Sequence, residues 1–180
     1  MIIAKAKKRE NIAEYILYMW QIEDLIRANN LDIDEISKNI IDKFDQPTAV
    51  KKEIRNWYEG LIDLFREEEI KQSGHLQFVQ NTINELNDLH LRLLKSPDHL
   101  DYIDSYNQAR EGIIELTNKS KGNVENEIEA CFNGLYGILV LRLQQKTISP
   151  STAEAMGRIS KLVAMLAKKY KLIEEGKMEL

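Results

Sequence analysis

Apolar residues recur at spacings of three and four along almost the whole chain, and no stretch alternates apolar with polar as a half-buried strand would. The pattern predicts seven helices separated by short polar breaks. The first runs from about Lys8 to Ala28 and stops at Asn29-Asn30. A second, capped by Asp32 or Asp34, reaches about Phe44; a third, capped by Thr48, reaches about Lys71. Ser73-Gly74 separates it from a fourth, His75 to about Lys95, and Ser96-Pro97 opens a fifth that ends near Asn118. The sixth spans about Val124 to Gln145, and the seventh, capped by Ser151 or Thr152, frays near Gly176. Breaks of a few residues favour antiparallel neighbours. The expected fold is an all-α, single-domain bundle of six or seven helices over residues 1–180, with 1–7 and 176–180 as loosely ordered tails.

The third helix shows the two-faced pattern most cleanly. Val50, Ile54, Trp57, Tyr58, Leu61, Ile62, Leu64 and Phe65 share one side, while Lys51, Lys52, Arg55, Glu59, Arg66 and Glu67 lie opposite. The first helix differs, because Ile12–Arg27 is apolar on nearly every side, and so does the sixth from Ala130 to Leu141. A helix apolar all round is enclosed on several sides, so these two are expected at the centre. Gly134 and Gly137 within the sixth each cost helix stability, which suggests another backbone passing close. The alternative is that one of these apolar faces joins two copies of the chain, because an apolar patch of that size needs cover.

Composition narrows the function. The 180 residues suffice for one domain with a sizeable core. The net charge of −4 and pI near 5.5 argue against general nucleic-acid binding, which calls for a basic surplus. Cys131 is the single cysteine, so neither an internal disulfide nor a cysteine-based zinc site can form, and a reducing compartment fits. No apolar run approaches the roughly 20 residues of a membrane span, and the basic residues of the N-terminus follow its short apolar run, unlike a signal peptide. A cytoplasmic protein without membrane or nucleic-acid partners is expected.

Few residues stand out as candidates for chemistry. Glu23 falls within the apolar surface of the first helix, with Arg27 one turn further on at the favourable spacing. They read as a buried ion pair, either structural or lining a polar pocket. His90 sits on the apolar face of the fourth helix with Val79, Ile83, Leu86 and Leu93, where a core role with one bonded nitrogen is expected. Arg110 falls among Ile103, Tyr106, Ile113 and Ile114 on the inner side of the fifth helix. Glu23, Arg27, His90 and Arg110 together form the candidate buried polar site. No His-x-x-x-His or Glu-x-x-His spacing, phosphate-binding glycine loop, nucleophile elbow or dinucleotide fingerprint occurs, so no catalytic residue, metal or cofactor is assigned. Cys131, without a basic neighbour in sequence, reads as an inert buried thiol.

The segment Glu-Asn-Ile-Ala-Glu-Tyr-Ile-Leu-Tyr-Met-Trp-Gln-Ile-Glu-Asp-Leu-Ile-Arg (Glu10–Arg27) resembles the N-terminal signature of a family of uncharacterised bacterial proteins of about this length. The family is a domain of unknown function that would cover essentially the whole chain. The resemblance implies a compact bacterial all-helical protein and carries over no activity, ligand or catalytic residue.

The expected function is therefore a non-catalytic cytoplasmic interaction or scaffold bundle that forms a homodimer. The alternative is a small-ligand-binding bundle with a buried polar pocket around Glu23 and Arg27. A charge pattern supports self-association: Arg158, Lys161, Lys168, Lys169 and Lys171 of the last helix could meet the acidic side of the fifth (Asp98, Asp101, Asp104, Glu111, Glu115) in a second copy.

Overall fold

A computed structural model describes residues 2–180. Among these residues the structure is all-α: α1 (Ile2–Glu10), α2 (Ile12–Ala28), α3 (Ile33–Asn39), α4 (Thr48–Glu67), α5 (Gln77–Lys95), α6 (Leu100–Lys119), α7 (Glu127–Leu143) and α8 (Pro150–Glu174). Single 3-10 turns at Ile41–Lys43 and Pro97–His99 lead into α4 and α6. The count exceeds the expected six or seven for one local reason. Asn11 takes an extended conformation, and its Oδ1 accepts the backbone N–H groups of Ala13 (3.0 Å) and Glu14 (3.3 Å). This N-cap splits the first expected helix into α1 and α2. The expected N-terminal tail is thereby corrected to a helix from Ile2 onward; Met1 lies outside the described residues. At the other end, residues 175–180 are non-helical, although Met178 packs on the core.

Two further boundaries follow local chemistry. Asn30 and Leu31 adopt left-handed backbone (φ 56° each), and the Leu31 and Asn30 N–H groups return to the carbonyls of Ile26 and Arg27, closing α2. Ser149, rather than the expected Ser151 or Thr152, caps α8: its Oγ accepts from the Thr152 N–H at 3.2 Å, with Pro150 as the first helical residue.

The buried apolar side chains form one contiguous core, whose largest fully enclosed members are Trp20, Tyr58, Tyr102, Phe65 and Phe132. Each contributes roughly 1.5–3 kcal/mol by leaving water. Helix α8 lies against α2, α5, α6 and α7. Its Ile159, Leu162 and Leu166 are fully buried, so it shares the centre with α2. Expected centrality is only half realised in α7. Ile128, Ala130, Cys131 and Phe132 are buried, but Leu135, Leu139, Val140 and Leu141 are half-covered and Leu143 is 70% exposed. The acid–base pattern linking the fifth and last predicted helices is partly satisfied within one chain, where Lys169 Nζ of α8 lies 3.3 Å from Asp101 Oδ1 of α6.

The two glycines of α7 have different causes. A Cβ on Gly134 would meet Leu116 Cδ1 at 2.7 Å and Met156 Cε at 3.0 Å, so α6 and α8 approach closely there. Around Gly137 nothing lies within 4 Å, so it serves no close approach and leaves the cost of helical glycine uncompensated. Gly137→Ala is expected to stabilise the fold by up to about 1 kcal/mol. Gly134→Ala should gain less, because the tips of Leu116 and Met156 must move first. Urea midpoints of the two variants check the order.

Candidate functional site

One face of α2 presents Trp20, Glu23, Asp24 and Arg27, spaced so that consecutive turns stack them together. Opposite lies the connector between α4 and α5, residues 68–76. Helix α5 begins with Leu76 at its N-cap, a residue whose side chain cannot accept a hydrogen bond. Its first N–H groups are satisfied from elsewhere in the chain. Glu23, 0% exposed, accepts the Leu76 N–H on Oε1 at 3.1 Å, and Glu68 Oε2 accepts the Gln77 N–H at 2.8 Å. A carboxylate at a helix N-terminus also meets the favourable end of the helix dipole.

The second oxygen of Glu23 is engaged as well. His75 Nδ1 donates to Oε2 at 2.6 Å, which assigns the proton to Nδ1 because an ionised carboxylate only accepts. Trp20 stacks on the imidazole, with ring centroids 4.1 Å apart and planes 12° from parallel, and leaves the His75 side chain 25% exposed. Arg27 reaches the same connector by a different route. Its Nη2 donates to the carbonyls of Ile70 (3.4 Å) and Gly74, its Nη1 lies 3.6 Å from Asp24 Oδ1, and its guanidinium sits 5.0 Å from the Phe65 ring centre. Tyr136 of α7 donates to Asp24 Oδ2 at 2.5 Å and to the Trp20 carbonyl at 3.3 Å. Burial, reinforced by the bond to Asp24, holds its phenol well above the usual range.

The expected direct Glu23–Arg27 pair is thus corrected: Glu23 binds His75 and Leu76, whereas Arg27 pairs with Asp24. Both residues hold one connector. A carboxylate-fixed imidazole is also the arrangement that orients a general base. Here no hydroxyl or thiol is hydrogen-bonded to His75 among the described residues, and both Glu23 oxygens are committed.

His90 and Arg110 belong to another place. His90 lies fourteen residues along α5 from Leu76, about 21 Å at the helical rise. Its Nδ1 is 2.7 Å from the Tyr102 hydroxyl, and its Nε2 is 3.6 Å from Glu127 Oε2, which accepts from Tyr106 at 3.0 Å. Burial lowers the pKa of His90, opposed in part by Glu127. Arg110 is exposed rather than inward-facing; its charge and a side-chain hydrogen bond to Tyr106 oppose the rise that burial and Glu127 impose on the Tyr106 hydroxyl. The four expected residues therefore divide between two sites. Cys131 is buried, and burial pushes its thiol up to about 12, leaving it unreactive at neutral pH. His75, which the sequence placed only at the start of the fourth helix, is the partner of Glu23 that sequence reasoning missed, as it missed Asp24 and Tyr136. The available signal was a helix start that lacks a capping side chain of its own.

Helical architecture, one core and an interior charged clamp with no group of three or more His, Cys, Asp or Glu poised for a metal among the described residues define a compact all-helical domain. The chain belongs to the family described as "Domain of unknown function (DUF4924)", whose model matches residues 1–177. No curated protein and no solved structure matches it. No helix among the described residues is long and apolar enough to cross a membrane.

Glu23→Gln leaves one acceptor for two donors and sets an amide N–H₂ against one of them. The expected loss of stability is about 1–3 kcal/mol, read from urea unfolding. His90 gives a separate pH signature. Below pH 6.5 the unfolded chain takes a proton that buried His90 resists, so its contribution is fully present above 6.5 and is lost as pH falls through the lowered folded-state value. The urea midpoint should fall on acidification from pH 6.5, and part of that slope should vanish in His90→Gln.

Proposed function

We propose that the protein is a non-catalytic, cytoplasmic interaction module that works as a homodimer joined through the outer half of α7. The observation that carries this reading is a largely apolar surface cleft of about 310 Å³ beside an exposed leucine. Leu17 of α2, Leu135, Ile138 and Leu139 of α7, Ile148, and Met156 of α8 line the cleft, with Arg142 and Ser160 as its polar members. Leu143 stands one helical turn beyond Leu139 and is 70% exposed. A knob next to a hole is self-complementary under two-fold symmetry, since each copy can offer its Leu143 to the other's cleft. Such an interface would cover the part of an all-round apolar helix that its own chain leaves open.

The competing reading places a polar ligand at Glu23 and Arg27. It is the weaker one because both Glu23 oxygens and both Arg27 terminal nitrogens already have partners in the chain.

Sedimentation equilibrium tests the proposal. The wild-type chain is expected to have twice the protomer mass at micromolar concentration and to keep it at high salt, because the contact is apolar. Leu143→Glu should give a monomer with unchanged helicity and thermal midpoint, since the side chain contributes little to its own core. A monomeric wild type, or a variant that remains dimeric, would overturn the reading.

A further inference from the structure

A second surface feature lies far from the charged clamp in the sequence. The start of α1, the segment Phe44–Gln46 and the first turns of α4 enclose a cleft of about 540 Å³. That volume falls within the range of small-molecule sites. Ile54 is buried at its base, Phe44 and Val50 are half-buried, and Ile3, 48% exposed, stands at one side. The walls are fixed from outside the cleft. Ala4, between Ile3 and Lys5, is buried in the core, and the Lys51 ammonium holds the Asp42 carbonyl at 2.8 Å. The Gln46 N–H closes on the Phe44 carbonyl at 2.9 Å just before Pro47.

Some charges of α3 and α4 are engaged within the chain: Arg55 binds Asp34 and Glu59, and Arg66 binds Asp63. At the cleft, the side chains of Lys5, Asp45, Gln46 and Glu53 make no ion pair or hydrogen bond among the described residues. Two free carboxylates against one ammonium leave the mouth net negative above an apolar floor. A ligand complementary to both has an apolar body and a positively charged end.

We propose that this cleft binds a small amphiphilic amine. The apolar body rests on Phe44, Val50 and Ile54, and the ammonium group is held by Asp45 and Glu53. Lys5 disfavours a second positive charge at the far edge and so selects for a single amine. Gln46 offers both a donor and an acceptor to a hydroxyl or amide next to that amine. The α7 surface takes no part, so this site does not depend on the state of association.

Isothermal titration of the full chain with octylammonium, octanol and octanoate, each below its micellar concentration, tests the assignment. Octylammonium is expected to bind at one site per chain. Two exposed ion pairs make it about three- to tenfold tighter than octanol, and octanoate should be weaker still. The double variant Asp45→Asn with Glu53→Gln should erase the advantage of the amine over the alcohol while leaving octanol binding unchanged. Both positions are exposed, so the variant should keep the wild-type melting temperature. Equal affinity for all three probes, tightest binding of octanoate, no binding of any probe, or an undiminished preference for the amine in the double variant would each overturn the proposal.

Discussion

Removing an ionised carboxylate from water costs several kcal/mol unless hydrogen bonds replace its hydration, and Glu23 is fully enclosed. The structure meets that constraint by bringing two donors from one connector, His75 Nδ1 and the Leu76 N–H, onto its two oxygens. The bond from the Leu76 N–H also serves α5, whose first residues lack a cap of their own. A helix start without a cap and a buried charge without solvent are each unfavourable alone, and each supplies what the other lacks. Arg27 extends the attachment one turn along α2 by taking carbonyls of the same connector, while Tyr136 ties Asp24 to α7. The registers of α2, α5 and α7 are thus linked through one polar cluster set against Trp20.

Much of this was legible in the amino-acid sequence. Periodicity placed the helices, and the lone acid within the apolar surface of the first one marked the interior polar site. Its partner was not legible. Spacing favoured Arg27 because i,i+4 pairs are a local rule, whereas His75 lies 52 residues away and is brought in by the fold. The split at Asn11 was present as Asn11-x-x-Glu14, a helix-start pattern hidden inside an unbroken apolar period. Arg110 was misplaced for a related reason. A helix face defined by its apolar neighbours is broad, and a long side chain at its margin can turn outward to water.

Apolar character along all sides of a helix also proved ambiguous between centrality and contact. Helix α2 is enclosed by its own chain. Helix α7 is enclosed for only half its length, with α8 taking the place at the centre that its composition suggested. Sequence hydrophobicity measures how much cover a helix needs, and it does not say whether the cover comes from the same chain. The interior, meanwhile, has its charged groups engaged, which moves the search for partners and ligands to the surfaces of α7 and of the α1–α4 junction.

The central claim is that Glu23 acts as the missing cap of α5. Native-state hydrogen exchange of the Leu76 amide tests it most directly. An amide at a helix start ordinarily exchanges readily, since no helical carbonyl accepts from it. A proton donated to a buried carboxylate that ties α2 to the start of α5 should instead exchange as slowly as the core amides of α5. Exchange of Leu76 at the rate of the neighbouring connector amides of Ser73 and Gly74 would contradict that role.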